Sequence, residues 1–291
     1  MTESQSRDAF LAELTLRNRG LIADADQRAL AAARILVAGC GSTGGATVEP
    51  LVRAGAMHLT LVEPGRYELH NLNRQRATLA AIGQNKAAWL ASQARAINPY
   101  LELDVHEAGI TPDDARAFAD RADLVIDAID VTSMDGLRAK CALHEAASAA
   151  RRPVVSAYDL AYRQYVRVYD YRREMAPFSG KIDAVLGART PTDALALLVP
   201  FQVIPYELLQ EIERLQNEPG ASISQLGCAA DLFGALIVPL AIELLANRRT
   251  KRSYVLDLKD PSLPLSRRVA RRIATTTGLL RLVLRQRRKQ R

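Results

Sequence analysis

A glycine-rich segment, Gly39-Cys-Gly41-Ser-Thr-Gly44, lies between a short apolar run and an amphipathic stretch. This order predicts a strand, a tight turn and a helix, whose first N–H groups can bind a phosphate. The glycines keep side chains away from the path of that phosphate. Glu63 ends the next apolar run and could accept hydrogen bonds from both hydroxyls of a ribose. These features predict a nucleotide site without identifying the nucleotide.

A cluster of amide and basic side chains follows Glu63. Its members are Asn71, Arg74, Gln75 and Lys86. A dinucleotide does not need such a cluster, because loop amides and a helix dipole neutralise its pyrophosphate. A triphosphate does, since an arginine fork and a lysine point charge can hold the β- and γ-phosphates while the α-phosphate is attacked. The cluster therefore favours ATP.

Two aspartates, Asp127 and Asp130, end a later apolar run. Ligands of parallel α/β sheets bind at the carboxyl ends of the strands, so Asp130 is placed to meet a nucleotide. One or two carboxylate oxygens, completed by phosphate oxygens and water, are what Mg²⁺ prefers. We therefore expect ATP and Mg²⁺ as cofactors, with Asp130 as the metal ligand.

Alternating strands and helices must position these residues. The patterns predict strands at 34–38, 58–63, 101–106, 123–128 and 153–158, and helices at 46–54, 86–97, 112–120 and 135–150. This alternation predicts an α/β fold with a doubly wound, Rossmann-like and mainly parallel sheet. Residues 164–171 alternate with period 2, which predicts an antiparallel extension. An irregular crossover segment, a helix at 226–246 and a strand at 253–258 follow.

Composition narrows the class of protein. With 48% hydrophobic and 24% charged residues, the 291-residue chain is typical of globular proteins and not of disordered or collagen-like ones. The polar start, MTESQSRD, does not resemble a signal peptide, so we expect a cytoplasmic protein. The cysteines Cys40, Cys141 and Cys228 are too few and too scattered for a disulfide framework or a four-thiolate zinc site.

The net charge of +7 is unevenly distributed. Residues 248–291 carry fifteen Lys or Arg against two Asp, a net of +13, so residues 1–247 carry a net of −6. Apolar residues are interleaved with the arginines, which allows a basic amphipathic helix. Such a helix could bind RNA, an anionic membrane surface or an acidic partner, and a solvated tail is the alternative.

The motifs together resemble those of the ThiF/MoeB/HesA superfamily, the bacterial relatives of ubiquitin-activating enzymes. The glycine segment resembles the family's Gly-x-Gly-Gly-x-Gly loop, and Asn71-Leu-Asn-Arg74-Gln75 resembles its Asn-Leu-x-Arg-Gln signature. Lys86, Ile97-Asn-Pro99 and Asp127-Ala-Ile-Asp130 fall at the family's ATP-site lysine, Ile-Asn-Pro and Asp-x-x-Asp-Asn positions. The resemblance covers residues 12–170 well and residues 226–246 more loosely.

The resemblance implies an ATP-dependent adenylyltransferase that activates a carboxylate as an acyl adenylate and releases pyrophosphate. The first-ranked substrate is a small protein or peptide with a free C-terminus, and the enzyme would be a homodimer. Arg17-Asn-Arg19 resembles the family's Arg-Tyr-x-Arg segment, so Arg19 would reach the ATP of the neighbouring subunit. The implied division is a dimer arm at 1–33, an adenylation domain at 34–260 with its crossover segment at 172–225, and a basic tail at 261–291.

The sequence departs from the family pattern at four places. Glu63 replaces an aspartate, Val131 an asparagine, and Ser42-Thr43 a Gly-Leu pair, and the zinc-binding cysteine pairs are absent. In family members that form a thioester or persulfide, the catalytic cysteine lies in the crossover segment. Residues 142–227 of this sequence contain no cysteine, so the resemblance implies that an amine, thiol or hydroxyl captures the acyl adenylate directly.

Cys228 follows that segment, and the apolar residues after it favour a buried structural thiol, although a helix start could activate it. A dinucleotide-dependent oxidoreductase and a non-catalytic dimeric adaptor remain alternatives.

Overall fold

Seven strands form one sheet in the order β3-β2-β1-β4-β5-β6-β7 in the computed structural model, which describes residues 6–173, 176–218 and 223–289. The strands are β1 Arg34–Ala38, β2 His58–Val62, β3 Glu102–His106, β4 Leu124–Asp127, β5 Pro153–Leu160, β6 Arg163–Asp170 and β7 Ser253–Asp257. The first five are parallel, and β6 and β7 are antiparallel. The predicted doubly wound sheet with an antiparallel extension is confirmed.

The strand order reverses beside β1. The chain moves outward from β1 through β2 to β3, then returns to place β4 on the other side of β1. Both β1 and β4 are buried along nearly their whole length, as central strands covered on two faces are. The crevice at the carboxyl ends of β1 and β4 is the position where such sheets bind ligands.

Helices cover both faces of the sheet. They are α1 Arg7–Leu14, α2 Asp24–Ala32, α3 Ser42–Ala54, α4 Lys86–Ile97, α5 Ala115–Arg121, α6 Met134–Ala149, α7 Ile182–Leu186, α8 Pro191–Leu198, α9 Tyr206–Asn217, α10 Gly227–Leu245 and α11 Leu265–Lys289. The core on one face comes from α3, α4 and α10, and the core on the other from α5, α6 and the crossover helices.

The crossover segment is more regular than predicted. Between Asp170 and α10 it contains α7, α8 and α9, of which only α9 has helical periodicity in its sequence, and Val185, Ala194 and Leu198 are buried in the core under α6. Helices of five and eight residues are too short to show a clear periodicity in the sequence. Helix α3 also begins earlier than predicted, at Ser42 within the glycine segment.

Helix α10 is the central helix of one face of the core. Among the described residues it is the one helix that is long and apolar enough to cross a membrane. Here it packs along α3, and a Cβ placed on Gly234 would lie 2.4 Å from the carbonyl oxygen of Ala46. Its residues Phe233 and Ile237 are fully buried.

The basic C-terminal stretch forms a helix, α11, which its sequence allows, and the first turns of this helix pack against the rest of the chain. Arg271 is only 9% exposed and pairs with Glu207 at 2.7 Å, with Asp257 at 3.3 Å and with Asp260. Gly278 of α11 packs against Leu209 of α9. The side of α11 that carries Leu265, Val269, Ile273 and Leu280 is exposed.

Candidate nucleotide site

The three glycines of the predicted phosphate loop have different structural roles. Gly39 has a φ of +90°, and a Cβ there would lie 2.2 Å from the Ala128 carbonyl oxygen. A Cβ on Gly44 would lie 1.9 Å from the Gly39 carbonyl oxygen. Both glycines are therefore required by backbone packing between β1, β4 and α3. A Cβ on Gly41 would meet only the Gln75 Nε2 atom, at 4.0 Å, so Gly41 faces the open space that a phosphate needs.

Helix α3 opens directly onto that space. Its N-cap residue is Gly41, which has no side chain, so no side chain caps the first turn. The first N–H groups of a helix have no partner within the helix and carry the positive end of its dipole. The start of α3 is therefore built to receive an anion.

Glu63 and Lys86 lie together beside the loop. The two carboxylate oxygens of Glu63 accept hydrogen bonds from the N–H groups of Cys40 and Gly65, each at 2.8 Å. A Cβ on Gly65 would lie 2.5 Å from Glu63 Oε1 and 3.3 Å from Lys86 Nζ, so both side chains line the same space. A carboxylate oxygen has more than one lone pair, so Glu63 can still accept ribose hydroxyls.

Three members of the amide and basic cluster, Asn71, Arg74 and Gln75, lie on a 3-10 helix, Leu69–Asn73, or just after it, whereas Lys86 begins α4. The buried Asn71 uses its side-chain oxygen to accept the N–H of Glu68 at 3.0 Å, so only its amide nitrogen could reach a phosphate. Arg74 Nη1 donates to the His70 carbonyl at 3.1 Å and to Asn73 Oδ1 at 2.9 Å. Burial lowers the pKa of Arg74. Its Nε is buried and, among the described residues, has no partner.

Asp130 is exposed just beyond the carboxyl end of β4. Its carboxylate accepts hydrogen bonds from the backbone N–H and the hydroxyl of Thr132, at 2.9 Å and 2.7 Å. No group of three His, Cys, Asp or Glu side chains that could hold a metal occurs in the described part of the chain. Mg²⁺ fits this donor set, because it binds through one or two carboxylates and takes its other ligands from phosphates and water.

Asp127 has a different environment from Asp130. It is fully buried, and its Oδ2 lies 2.5 Å from Lys140 Nζ, 2.9 Å from His144 Nε2 and 2.6 Å from Ser156 Oγ. Burial alone would raise the pKa of Asp127, but the Lys140 ammonium and the His144 hydrogen bond hold it well below its usual value. Lys140 and His144 are four residues apart on one face of α6, a spacing that could have revealed the cluster from the sequence.

Arg19 is not part of the site in its own protomer. It is exposed and follows Asn18, whose side chain donates to the Ala54 carbonyl at 3.2 Å. Ala54 is the last residue of α3, and the phosphate loop is at the other end of this 13-residue helix. A helix of that length spans about 20 Å. Arg19 could therefore reach a nucleotide only in a second copy of the chain.

The three cysteines are free, and the solvent exposure of one of them differs from the prediction. Cys40 and Cys141 are buried, and burial raises the pKa of Cys141 to about 12. Cys228 is exposed, so the prediction of a buried thiol is wrong. The buried face of α10 begins one residue later, at Ala229. A Cβ on the preceding Gly227 would lie 3.1 Å from the Arg74 Cα atom, so Cys228 lies near the cluster.

Asp159, near the carboxyl end of β5, is a site residue that the sequence reasoning missed. Its carboxyl group lies beside Ser42, Thr43 and the Arg74 guanidinium. Burial raises the pKa of Asp159, and these neighbours offset only part of the rise. No motif marks this residue. The available signal was an acidic residue directly after the predicted strand at 153–158.

Comparisons with known proteins show which family and fold the chain resembles. The sequence model of the ThiF family matches residues 15–273. The adenylyltransferase and sulfurtransferase MOCS3 of Anopheles gambiae is 29% identical over 168 residues, which are 57% of this chain and 35% of that protein. The matched region spans between 19% and 39% of the length of the curated relatives that it matches.

Two solved structures share the fold. E. coli tRNA N6-threonylcarbamoyladenosine dehydratase, TcdA, in complex with ATP has a TM-score of 0.57 and 21% identity, covering 84% of this chain and 98% of that chain. E. coli MccB with MccA-N7isoASN has a TM-score of 0.58 and 14% identity, covering 80% of this chain and 63% of that chain.

Proposed function

The chain belongs to the ThiF family, and on that premise we propose that it is an ATP-dependent adenylyltransferase that activates a carboxylate. One observation carries the proposal. The open helix start beside Gly41, the neighbouring side chains of Glu63 and Lys86, and the exposed Asp130 all lie at the carboxyl edge of the sheet where its strand order reverses.

Each of these groups has a role in the proposed reaction. The N–H groups at the start of α3 would bind phosphate, and Glu63 would bind the ribose. Asn71, Arg74, Gln75 and Lys86 would hold and neutralise the triphosphate, and Asp130 would hold Mg²⁺. A substrate carboxylate oxygen forms a bond to the α-phosphorus while the bond to pyrophosphate breaks. The substrate is its own nucleophile, so the protein contributes positioning and charge neutralisation.

We propose that the enzyme works as a homodimer in the cytoplasm. Arg19 lies too far from the loop of its own protomer to act there, which supports a role across a two-fold interface. The three free cysteines are compatible with a reducing compartment.

The substrate we favour is a small protein or peptide with a free C-terminus. The fold relative MccB was crystallised with MccA-N7isoASN, and the relative MOCS3 is described as an adenylyltransferase and sulfurtransferase. A carboxylate on tRNA is the second candidate, because Arg267, Arg272 and Arg281 of α11 are exposed and could bind an anionic partner such as RNA or a membrane surface.

ATP–pyrophosphate exchange, screened over peptides and other carboxylates, tests the proposal. We expect exchange that depends on one class of carboxylate and is lost in Asp130→Ala. A rate that depends on a nicotinamide dinucleotide would instead favour an oxidoreductase, and failure to bind ATP would favour a non-catalytic adaptor.

A further inference from the structure

The two carboxylate oxygens of Asp159 have different surroundings. Gln164, its partner across β5 and β6, is fully buried. With its amide oriented to satisfy both neighbours, Gln164 donates to Asp159 Oδ1 at 2.7 Å and to the Ala229 carbonyl at 2.9 Å. Asp159 Oδ2 is buried and, among the described residues, makes no hydrogen bond of good geometry, although the Ser42 and Thr43 hydroxyls lie beside the carboxyl. The side chain is thus held by Gln164 on one side, and its other oxygen can accept a further donor.

Three more buried polar atoms of the site make no hydrogen bond of good geometry within the described residues. They are Ser42 Oγ, Arg74 Nε and Gln75 Oε1. Ser42 and Arg74 lie beside the Asp159 carboxyl, and the Nε2 atom of Gln75, a residue 9% exposed, lies 4.0 Å from the place of a Cβ on Gly41, the residue before Ser42. Native proteins leave few buried polar atoms unpaired, so four of them in this site indicate a place for a ligand.

The chemistry of these atoms defines what can bind. When Asp159 is ionised, its Oδ2 atom and Gln75 Oε1 only accept hydrogen bonds, so they need a donor. The Arg74 guanidinium beside Asp159 offsets its negative charge and would repel an ammonium group or Mg²⁺ in the same space. A neutral N–H group meets both requirements.

We propose that Asp159, Ser42 and Gln75 form an acceptor subsite for the backbone N–H of the last residue of a peptide or protein substrate. This inference rests on the proposed function. Ser42 is the first residue of α3, whose start would bind the α-phosphate that the substrate carboxylate attacks. In a peptide, the N–H group lies two bonds from that carboxyl carbon. The subsite would therefore disfavour carboxylate substrates that have no N–H group on the carbon next to the carboxyl.

Two stable analogues of the acyl adenylate test the subsite. One is 5′-O-[N-(N-acetylglycyl)sulfamoyl]adenosine. The other is its 4-oxopentanoyl counterpart, in which a methylene replaces the N–H. We would measure the affinity of both, and of AMP, by calorimetry for the wild-type chain, for Asp159→Asn and for a control, Asp104→Asn, on the distant strand β3. The asparagine keeps the volume of Asp159 but cannot serve both Gln164 and the ligand as an acceptor.

We expect the wild-type and Asp104→Asn proteins to bind the N–H analogue about tenfold or more tightly than the methylene analogue, as for a hydrogen bond to a charged acceptor. Asp159→Asn should reduce that ratio to about threefold or less, and any change in phosphate binding does not enter the ratio, because both analogues carry the same nucleoside and sulfamate. Equal affinities in the wild-type protein, or a ratio that survives Asp159→Asn, would overturn the subsite. An effect of Asp159→Asn on AMP affinity that appears only with added Mg²⁺ would show a metal ligand instead and would also overturn it. Absence of binding of AMP and ATP would overturn the proposed function and this inference with it.

Discussion

Two polar clusters lie near the carboxyl end of β4, and their hydrogen bonding differs. In the β4 cluster, Asp127, Lys140, His144, Ser156 and Tyr171, the buried groups are paired with one another. Both ring nitrogens of His144 are engaged, Nε2 with Asp127 at 2.9 Å and Nδ1 with the Tyr171 hydroxyl at 2.7 Å. That hydroxyl also accepts the Phe178 N–H at 3.1 Å.

The nucleotide site shows the opposite pattern. Buried atoms of Ser42, Arg74, Gln75 and Asp159 have no partner among the described residues, and the start of α3 has no side-chain cap. Buried polar groups are costly unless they are satisfied. We infer that the β4 cluster stabilises the fold, whereas the unpaired groups of the nucleotide site are available to bind a ligand.

The largest expected effect is on catalysis. Arg74→Ala and Asp130→Ala should each lower pyrophosphate exchange by roughly tens to thousands of fold, because a desolvated phosphate or Mg²⁺ contact is worth about 2–5 kcal/mol. Arg19→Ala should be inactive for the same reason. Mixing Arg19→Ala with Asp130→Ala should restore activity, because about one site in four then contains both residues. A mixed dimer that forms and stays inactive would refute the role of Arg19 across the interface.

The next effect is on stability. Asp127→Asn leaves the Lys140 ammonium, 1% exposed, without its counter-charge, so we expect a loss of about 3–5 kcal/mol in the free energy of unfolding. The matched variant Asp130→Asn, at an exposed carboxylate in the same segment, should change it by no more than about 0.5 kcal/mol. Urea unfolding of both variants measures the difference. Equal losses would contradict the distinction between the clusters.

The fold was predictable where local signals are strong. The run from Arg34 to Ala38, its glycine turn and α4 follow from apolar periodicity, and the Asn85 side chain caps α4 by accepting the Ala88 N–H. Neither cluster has such a signal. Asp127 meets Ser156, and Asp159 meets Ser42, only when distant segments fold together. Local patterns therefore predicted the loop, and only tertiary contacts distinguish the roles of Asp127, Asp130 and Asp159.

A smaller effect concerns pH. Burial lowers the pKa of His144, although its hydrogen bond to Asp127 opposes the shift. An unfolded histidine takes up a proton near pH 6.5, so the unfolded state binds it first as the pH falls. The free energy of unfolding should therefore decrease below about pH 6.5, by up to about 1.4 kcal/mol per pH unit, with a further loss from Asp127 below about pH 4. His144→Phe should remove the first loss, and an unchanged profile would contradict this account.

The smallest expected effect on activity is that of substituting Cys228. A thiol reagent should label one cysteine in the native protein and three in the unfolded protein, because Cys40 and Cys141 are buried and Cys228 is exposed. Cys228→Ser should leave pyrophosphate exchange unchanged, since adenylation needs no side-chain nucleophile. A thioester or persulfide on Cys228, detected by intact mass before and after thiol treatment, would show that direct capture of the adenylate is the wrong scheme.

The most direct test of carboxylate adenylation follows an oxygen atom. A peptide active in the exchange screen is labelled with ¹⁸O in its C-terminal carboxylate and incubated with ATP, Mg²⁺ and an acceptor amine. Attack of the carboxylate on the α-phosphorus, followed by capture at the acyl carbon, leaves one carboxylate oxygen on the nucleotide. We therefore predict AMP that carries one ¹⁸O atom, together with pyrophosphate. Unlabelled AMP, or ADP and phosphate as products, would contradict the central claim.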